Sequence, residues 1–186
     1  MPQWLFGLDG NYRKQGGKMR LWHKDLIEVL PRQQLLGQWR ECCLIAKNIA
    51  EQGKPNHLLV NRIMDFPLEH FYSYAKWVEY EMKSRRYKCD FEKFEKWYRK
   101  IEFTPLNTNM PYQWLQEKDL FPDWHNINYL QQCYFNLAEK HDCGGISDYD
   151  FKTIDEFYEE EMIADFQNYL QSGDLDLQGG DMDEIN

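Results

Sequence analysis

The chain has 186 residues, of which 42% are hydrophobic and 16% aromatic, so it is long enough for one well-buried core and short for two. No apolar run approaches the roughly 18 residues that a membrane-spanning helix needs, and residues 1–9 lack the charged-then-apolar order of a secretory signal. The formal net charge of −9 argues, taken alone, against a nucleic-acid partner. We therefore expect a soluble, cytoplasmic, monomeric protein with no membrane partner.

Helical periodicity dominates the sequence, and no convincing strand pattern is present. The longest apolar stripe, within residues 32–52, ends at Gly53, as is typical of an amphipathic helix with glycine after its last turn. Asp123 is a candidate cap for the fifth helix, and Ser147-x-x-Asp150 is a capping-box signal for the sixth. The pattern predicts helices over residues 32–52, 56–64, 68–86, 91–100, 124–140 and 148–171.

These helices predict a single compact, multi-helix, all-α domain over residues 19–171, without internal repeats or a domain linker. Residues 172–186 have five acids and few apolar anchors, a composition typical of a disordered tail. Residues 1–18 form an N-terminal extension that ends in Gly16-Gly17-Lys18. The codons for such a sequence can resemble a bacterial ribosome-binding site, which favours a translation start at Met19. The alternative is a true extension whose first apolar residues pack on the domain.

The charges are distributed unevenly along the chain. Residues 155–186 carry eleven acids and no Lys or Arg, whereas residues 1–102 carry nineteen Lys or Arg against thirteen acids. A basic body with an acidic tail leaves room for a surface that binds a polyanion. The alternative is that the excess of six positive charges only solvates a helical surface.

The five cysteines are an odd number without a secretory signal, which is typical of reduced thiols. His125, Cys133, His141 and Cys143 lie close enough in sequence to suggest zinc, but their spacing matches no standard site and there is no Cys-x-x-Cys pair. We expect no metal and no organic cofactor.

The most informative stretch of the chain runs from Met19 to Glu41. Gln34, Gln38 and Glu41 recur at i, i+4 and i+7, so they share one face of the predicted helix, with Arg40 alongside. One carboxylate flanked by guanidinium and amide groups suits chemistry on an anionic polymer.

This stretch resembles the opening of the phage-type pyrimidine-dimer DNA glycosylase family. The resemblance covers residues 19–90 well and 120–145 more weakly. The order and spacing of four pieces carry it: Met19-Arg20-Leu21-Trp22, Leu30-x-Arg32-x-x-Leu35, Trp39-Arg40-Glu41 and Gly53-x-x-Asn56-His57-x-Leu59-x-x-Arg62.

The resemblance implies a DNA repair enzyme, a DNA glycosylase and abasic-site lyase, that acts on double-stranded DNA with damaged bases or abasic sites. It implies that a free α-amine at Met19 attacks the sugar and forms a Schiff base, and that Glu41 stabilises the cationic sugar and moves protons. Arg20 and Arg40 become the phosphate clamps, with Arg40 counted in the catalytic centre. The further DNA-contact candidates are Arg32, Gln34, His57, Arg62, Lys83, Arg85 and Arg86, the last three from a run that itself lacks acids.

Two departures from the family pattern concern the chemistry. The phage-type enzymes expose a small residue after removal of the initiator Met, whereas here Arg20 follows Met19, and a bulky second residue normally prevents that removal. The nucleophile is then the amine of Met19 itself, provided that translation begins there. Gln34 stands where the family has a histidine, which changes how protons are handled on this helix.

Two other functions remain open from the sequence. One is a catalytically silent DNA-binding helical protein that keeps the scaffold. The other is an acidic phage or host interaction protein whose tail mimics nucleic acid to sequester a basic partner.

Overall fold

The computed structural model describes residues 21–53, 58–101, 115–116 and 119–172. Within these ranges the regular structure is helical throughout, which confirms the all-α prediction. Every predicted helix is present, with ends shifted by no more than three residues. The predicted extension (1–18) and the tail from residue 173 onward lie outside the described residues. After a 3-10 helix at Lys24–Leu26, the helices are α1 (Arg32–Gln52), α2 (Leu58–Ile63), α3 (Leu68–Ser84), α4 (Glu92–Ile101), α5 (Ile127–Asp142) and α6 (Asp148–Ser172).

The helix ends follow local chemistry, with one correction. Gly53 ends α1 at a φ of 68°, where its N–H donates to Ile49 O at 2.8 Å, a conformation that glycine adopts without strain. Ser147 Oγ accepts the Asp150 N–H at 3.1 Å, as the capping signal predicted. The prediction that Asp123 caps α5 is wrong, because Asn126 accepts the Tyr129 N–H at 3.1 Å.

The core lies where α1 packs against α3 and α4, and a second contact joins α5 to α6. The apolar stripes predicted for α1 and α3 face this core. Trp22 and Trp39 are 6% and 7% exposed, so both are core side chains.

Aromatic rings join the amino-terminal segment to the turn before α5. Phe121, Trp124 and His125 have ring centroids 4.9 to 5.0 Å apart, and Trp124 also contacts Phe66 of the turn after α2. Truncating a buried aromatic of this kind typically costs about 3–5 kcal/mol, so this cluster fixes the position of α5 relative to the first three helices.

The last turns of α6 differ from the rest of the fold because their apolar side chains are exposed. Ile163, Phe166 and Leu170 are 58%, 60% and 46% exposed. In the described part of the chain, no helix has both the length and the apolar character needed to cross a bilayer.

Candidate active site

The main chain of Trp22 is bound on both sides by side chains of the helical core. Gln38 of α1 accepts the Trp22 N–H through Oε1 at 2.9 Å, and Tyr74 of α3 donates its hydroxyl to Trp22 O at 2.8 Å. Both bonds are buried, where a lost partner costs about 1–3 kcal/mol. They fix the path of the chain near its first described residue.

Two more side chains bind the backbone on either side of Trp22. Tyr129 of α5 donates its hydroxyl to Leu21 O, and Nδ1 of His125 accepts the Lys24 N–H at 3.0 Å. The segment is therefore held from three helices and the turn before α5. We call these four side chains the backbone clamp: Gln38, Tyr74, His125 and Tyr129.

Glu41 lies on α1, less than one turn after Gln38, at a partly buried position. Burial raises the pKa of the Tyr74 hydroxyl well above its usual value, and negative charge on neighbours including Glu41 raises it further. The Glu41 carboxylate is thus within electrostatic range of the hydroxyl that holds Trp22. The predicted catalytic carboxylate and the amino-terminal segment share one edge of α1.

The face predicted from Gln34, Gln38 and Glu41 contains one structural residue. Gln38 is 1% exposed and belongs to the clamp. Gln34, one turn earlier, is half-buried, and its Oε1 is buried without a hydrogen-bond partner among the described residues.

Arg40 lies near the middle of the exposed face of α1, with exposed Leu44 about one turn later. Adjacent residues on an α-helix project about 100° apart, and Arg40 lines a groove of about 780 Å³ with Lys88 and Lys93. Its Nε donates to Leu36 O at 3.2 Å within the same helix. Arg40 is thus exposed, whereas the partly buried Glu41 lies at one border of the exposed face.

Comparison with known proteins identifies the relationship of this part of the chain. Residues 19–95 match the pyrimidine dimer DNA glycosylase family. This confirms the resemblance over a segment that contains α1, α2, α3 and the start of α4. No curated protein and no solved structure matches the chain. Residues 19–95 are therefore similar to that family, and the rest of the chain lies outside the match.

Two of the arginines within the glycosylase-family segment rest on aromatic rings. The Arg32 guanidinium lies 5.4 Å from the centre of the Tyr87 ring, and that of Arg62 lies 5.0 Å from the Trp124 ring. Such contacts hold a cation at the surface while leaving most of its N–H donors accessible. Both residues remain candidates for phosphate contacts.

Other predicted DNA contacts in this segment are engaged within the protein. Arg85 pairs with Glu81 and also donates to the main-chain oxygens of Leu30 and Glu28. Lys83 lies 2.7 Å from Glu79. The run from Lys83 to Lys88 lacks acids in sequence, but the preceding turns of α3 supply them.

The remaining predicted site residues are exposed or lie beyond the described ranges. Arg86 is exposed, with a φ of 61°, directly after the residue that caps α3. Met19, Arg20 and His57 lie outside the described residues. Their roles in catalysis and DNA binding stay predictions.

A buried histidine pair beside the clamp was missed from the sequence. His23 and His125 stack with ring centroids 5.1 Å apart, and Nε2 of each lacks a partner among the described residues. Burial lowers the pKa of both, and for His125 the charges of His23, Lys24 and Arg62 lower it further. Helical periodicity gives no signal for a ring contact between two residues that are about a hundred positions apart.

The histidines and cysteines that suggested zinc have separate roles. His125 belongs to the clamp, whereas His141 lies 2.9 Å from Asp148 and stacks on Phe151. Among the described residues, no group of three or more His, Cys, Asp or Glu side chains is placed to hold a metal ion.

Proposed function

We propose that this chain is a DNA glycosylase and abasic-site lyase that acts on duplex DNA with damaged bases or abasic sites. The observation that supports it most is the backbone clamp, which holds the segment after Met19 at the edge of α1 that presents Glu41. Met19 is two residues before Leu21, so their Cα atoms are at most about 8 Å apart. Two of the four clamp residues, Gln38 and Tyr74, lie within the segment that matches the family.

The proposed reaction uses the α-amine of Met19 as the nucleophile, as the resemblance implies. The amine attacks C1′, a nitrogen–carbon bond forms, and the bond from C1′ to the base breaks as the base leaves with a proton. Opening of the sugar ring gives a Schiff base, and loss of a C2′ proton then expels the 3′ phosphate. An α-amine suits these steps because its pKa near 7.7–8.0 leaves a useful unprotonated fraction at neutral pH.

Glu41 stabilises the cationic sugar and accepts the C2′ proton in this proposal. Its partly buried position supports the role, because a carboxylate interacts more strongly with a developing cation where water is partly excluded. Arg20 and Arg40 bind phosphates on either side of the reacting nucleotide. The proposed enzyme acts in the cytoplasm.

The first test compares two forms of the protein, one that begins at Met19 and the 186-residue chain. We expect the form that begins at Met19 to be trapped on abasic-site DNA by borohydride and the longer chain to be trapped poorly. A Schiff base needs a primary amine, whereas the extension converts the Met19 nitrogen into an amide. Equal trapping of both forms, with the cross-link mapped to Lys24 or another lysine, would contradict the amino-terminal mechanism.

A strand-cleavage assay on abasic-site DNA tests Glu41. We expect Glu41→Gln to abolish strand cleavage while duplex affinity stays nearly unchanged, because phosphate contacts supply most of the binding free energy. Glu139→Gln, at an exposed position on α5, is the control and should cleave normally. Binding without trapping by either form of the protein would favour the silent DNA-binding alternative.

A further inference from the structure

Helix α4 separates its charges by sign. At 100° per residue, Lys93, Lys96 and Lys100 project from one flank of the helix, and the acids Glu92 and Glu95 project from the other. Arg99 lies on the acidic flank, where it pairs with Glu95 at 2.8 Å. One side of α4 is therefore cationic, although the helix as a whole is mixed.

The cationic flank of α4 faces α1 across Trp97. The ammonium groups of Lys47, Lys96 and Lys100 lie 5.5, 5.3 and 4.5 Å from the centre of the Trp97 ring. Lys47 belongs to α1, so this ring gathers cations from both helices. Three like charges in one place repel one another, and a bound anion would relieve that repulsion.

Arg40 and Lys88, together with Lys93 of α4, extend the same flank beyond the first residue of α4. They line the groove of about 780 Å³ beside α1, and neither Arg40 nor Lys88 has a carboxylate partner in the part of the chain that the structure describes. The acids nearby are weakly engaged, since Asp90 is 3.9 Å from Lys93 and Glu51 is 4.0 Å from Lys47. Exposed pairs at such distances contribute little.

We propose that this cationic band binds the phosphodiester backbone of duplex DNA next to the reacting nucleotide. The inference rests on the proposed function and adds the surface that holds the substrate. The band consists of Arg40, Lys47, Lys88, Lys93, Lys96 and Lys100.

The band and Glu41 meet on α1. Arg40 directly precedes Glu41, so their side chains project about 100° apart around the helix axis. The exposed face of α1 therefore carries a cation of the band beside the predicted catalytic carboxylate.

The dimensions of the band favour nucleic acid over an acidic peptide. Helix α4 has ten residues and a length of about 15 Å, which matches on the order of four phosphates of one strand. The band has cations along its length. The groove at its start is also lined by Leu44, 51% exposed, by the buried Trp39 and by Asp90. The row of cations along α4 is therefore what favours a phosphate backbone over an acidic peptide.

The test is duplex affinity of the 186-residue chain as a function of salt, with an undamaged 20-base-pair duplex as the probe. The variant is the triple substitution Lys93→Gln, Lys96→Gln and Lys100→Gln. Its control, Arg99→Gln with Lys140→Gln and Lys152→Gln, changes the net charge equally but lies off the band. We expect the band triple to bind about tenfold more weakly near 0.1 M salt and to lose about two to three from the slope of log affinity against log salt. The control should keep the wild-type slope.

Three outcomes count against the proposal that the band binds DNA. A band triple with the control's slope would overturn the proposal, as would a wild-type chain that does not bind the duplex at low salt. A labelled peptide of residues 173–186 that binds the wild type as tightly as DNA does, and the band triple less tightly, would assign the surface to an acidic peptide. Because undamaged DNA needs no nucleophile, band-dependent binding without borohydride trapping would refute only the lyase mechanism.

Discussion

The hydroxyl groups of Tyr74 and Tyr129 connect the amino-terminal segment to helices that are distant in sequence. Their bonds to Trp22 O and Leu21 O span 52 and 108 positions along the chain. Both contact main-chain oxygens, so they hold the segment whatever side chains it carries. If Met19 is the nucleophile, these tyrosines act as positioning residues for its amine.

Tyr129→Phe tests this role in the form of the protein that begins at Met19. We expect the rate of borohydride trapping to fall several-fold while duplex affinity is unchanged, because the ring keeps its contacts with Trp124 and His125 but releases Leu21 O. The control is Tyr134→Phe, also on α5, which removes a hydroxyl bonded to Asp155. Each variant should lose about 1 kcal/mol of stability, and only Tyr129→Phe should slow trapping. Equal rates in the two variants would make the clamp purely structural.

For single residues, the sequence predicted the direction in which a side chain projects from its helix better than it predicted what surrounds that side chain. Periodicity placed Gln34, Gln38 and Glu41 on one face correctly, because a helix fixes the angle between positions. It could not show that Gln38 is buried against Trp22, or that Arg40 is exposed whereas Glu41 is partly buried, because those facts depend on where α3 and α4 pack. The intramolecular pairing of Lys83 and Arg85 was missed because their partners lie on earlier turns.

At the scale of elements, the boundaries of the helices were predictable and their packing was not. Gly53 and Ser147 are local signals, and both act as predicted. Asn126 was missed because two cap candidates lie within four residues, and the choice between them depends on the turn that places Trp124 in the core. The docking of residues 21–26 on α5 depends on contacts across about a hundred positions, for which helical periodicity provides no signal.

The buried pair His23 and His125 makes this docking sensitive to acid. The folded-state pKa of each is below its unfolded value of about 6.5, so the unfolded chain binds more protons in acid. The stability that neutral histidines support is complete above about pH 6.5 and is lost as the pH falls below it. Asp25 opposes this effect at His23, whereas Lys24 and Arg62 enhance it at His125.

We expect the free energy of unfolding to fall by about 1 kcal/mol per histidine between pH 7.5 and 5.5. Urea unfolding at a series of pH values measures it. His125→Asn keeps an oxygen near the Lys24 N–H but does not titrate, so its stability should depend less on pH than that of the wild type. Equal slopes for the two proteins would show that His125 is protonated in the folded state or exposed to water.

At the scale of the whole molecule, the net charge of −9 conceals a separation of sign. The cationic band is formed by α1, α4 and the segment between α3 and α4, whereas α6 carries eight acids and one lysine. Composition alone argued against a DNA partner, whereas the clustering of positive charges on the band favours one. Electrostatic binding depends on the local field at the contact surface. At 0.1 M salt, screening limits the reach of that field to about 10 Å.

Deletion of residues 173–186 tests how far the acidic end of the chain affects DNA binding. The deletion removes five carboxylates and changes the formal net charge from −9 to −4. We expect duplex affinity to rise about several-fold at 0.05 M salt and hardly at all at 0.5 M, because the repulsion is screened. The thermal midpoint should stay unchanged, since the segment has few apolar anchors. A chain of full length with the five acids replaced by Asn or Gln is the control for length, and it should bind as the deletion does. A large fall in thermal stability on deletion would instead show that Leu175, Leu177 or Met182 packs on the domain.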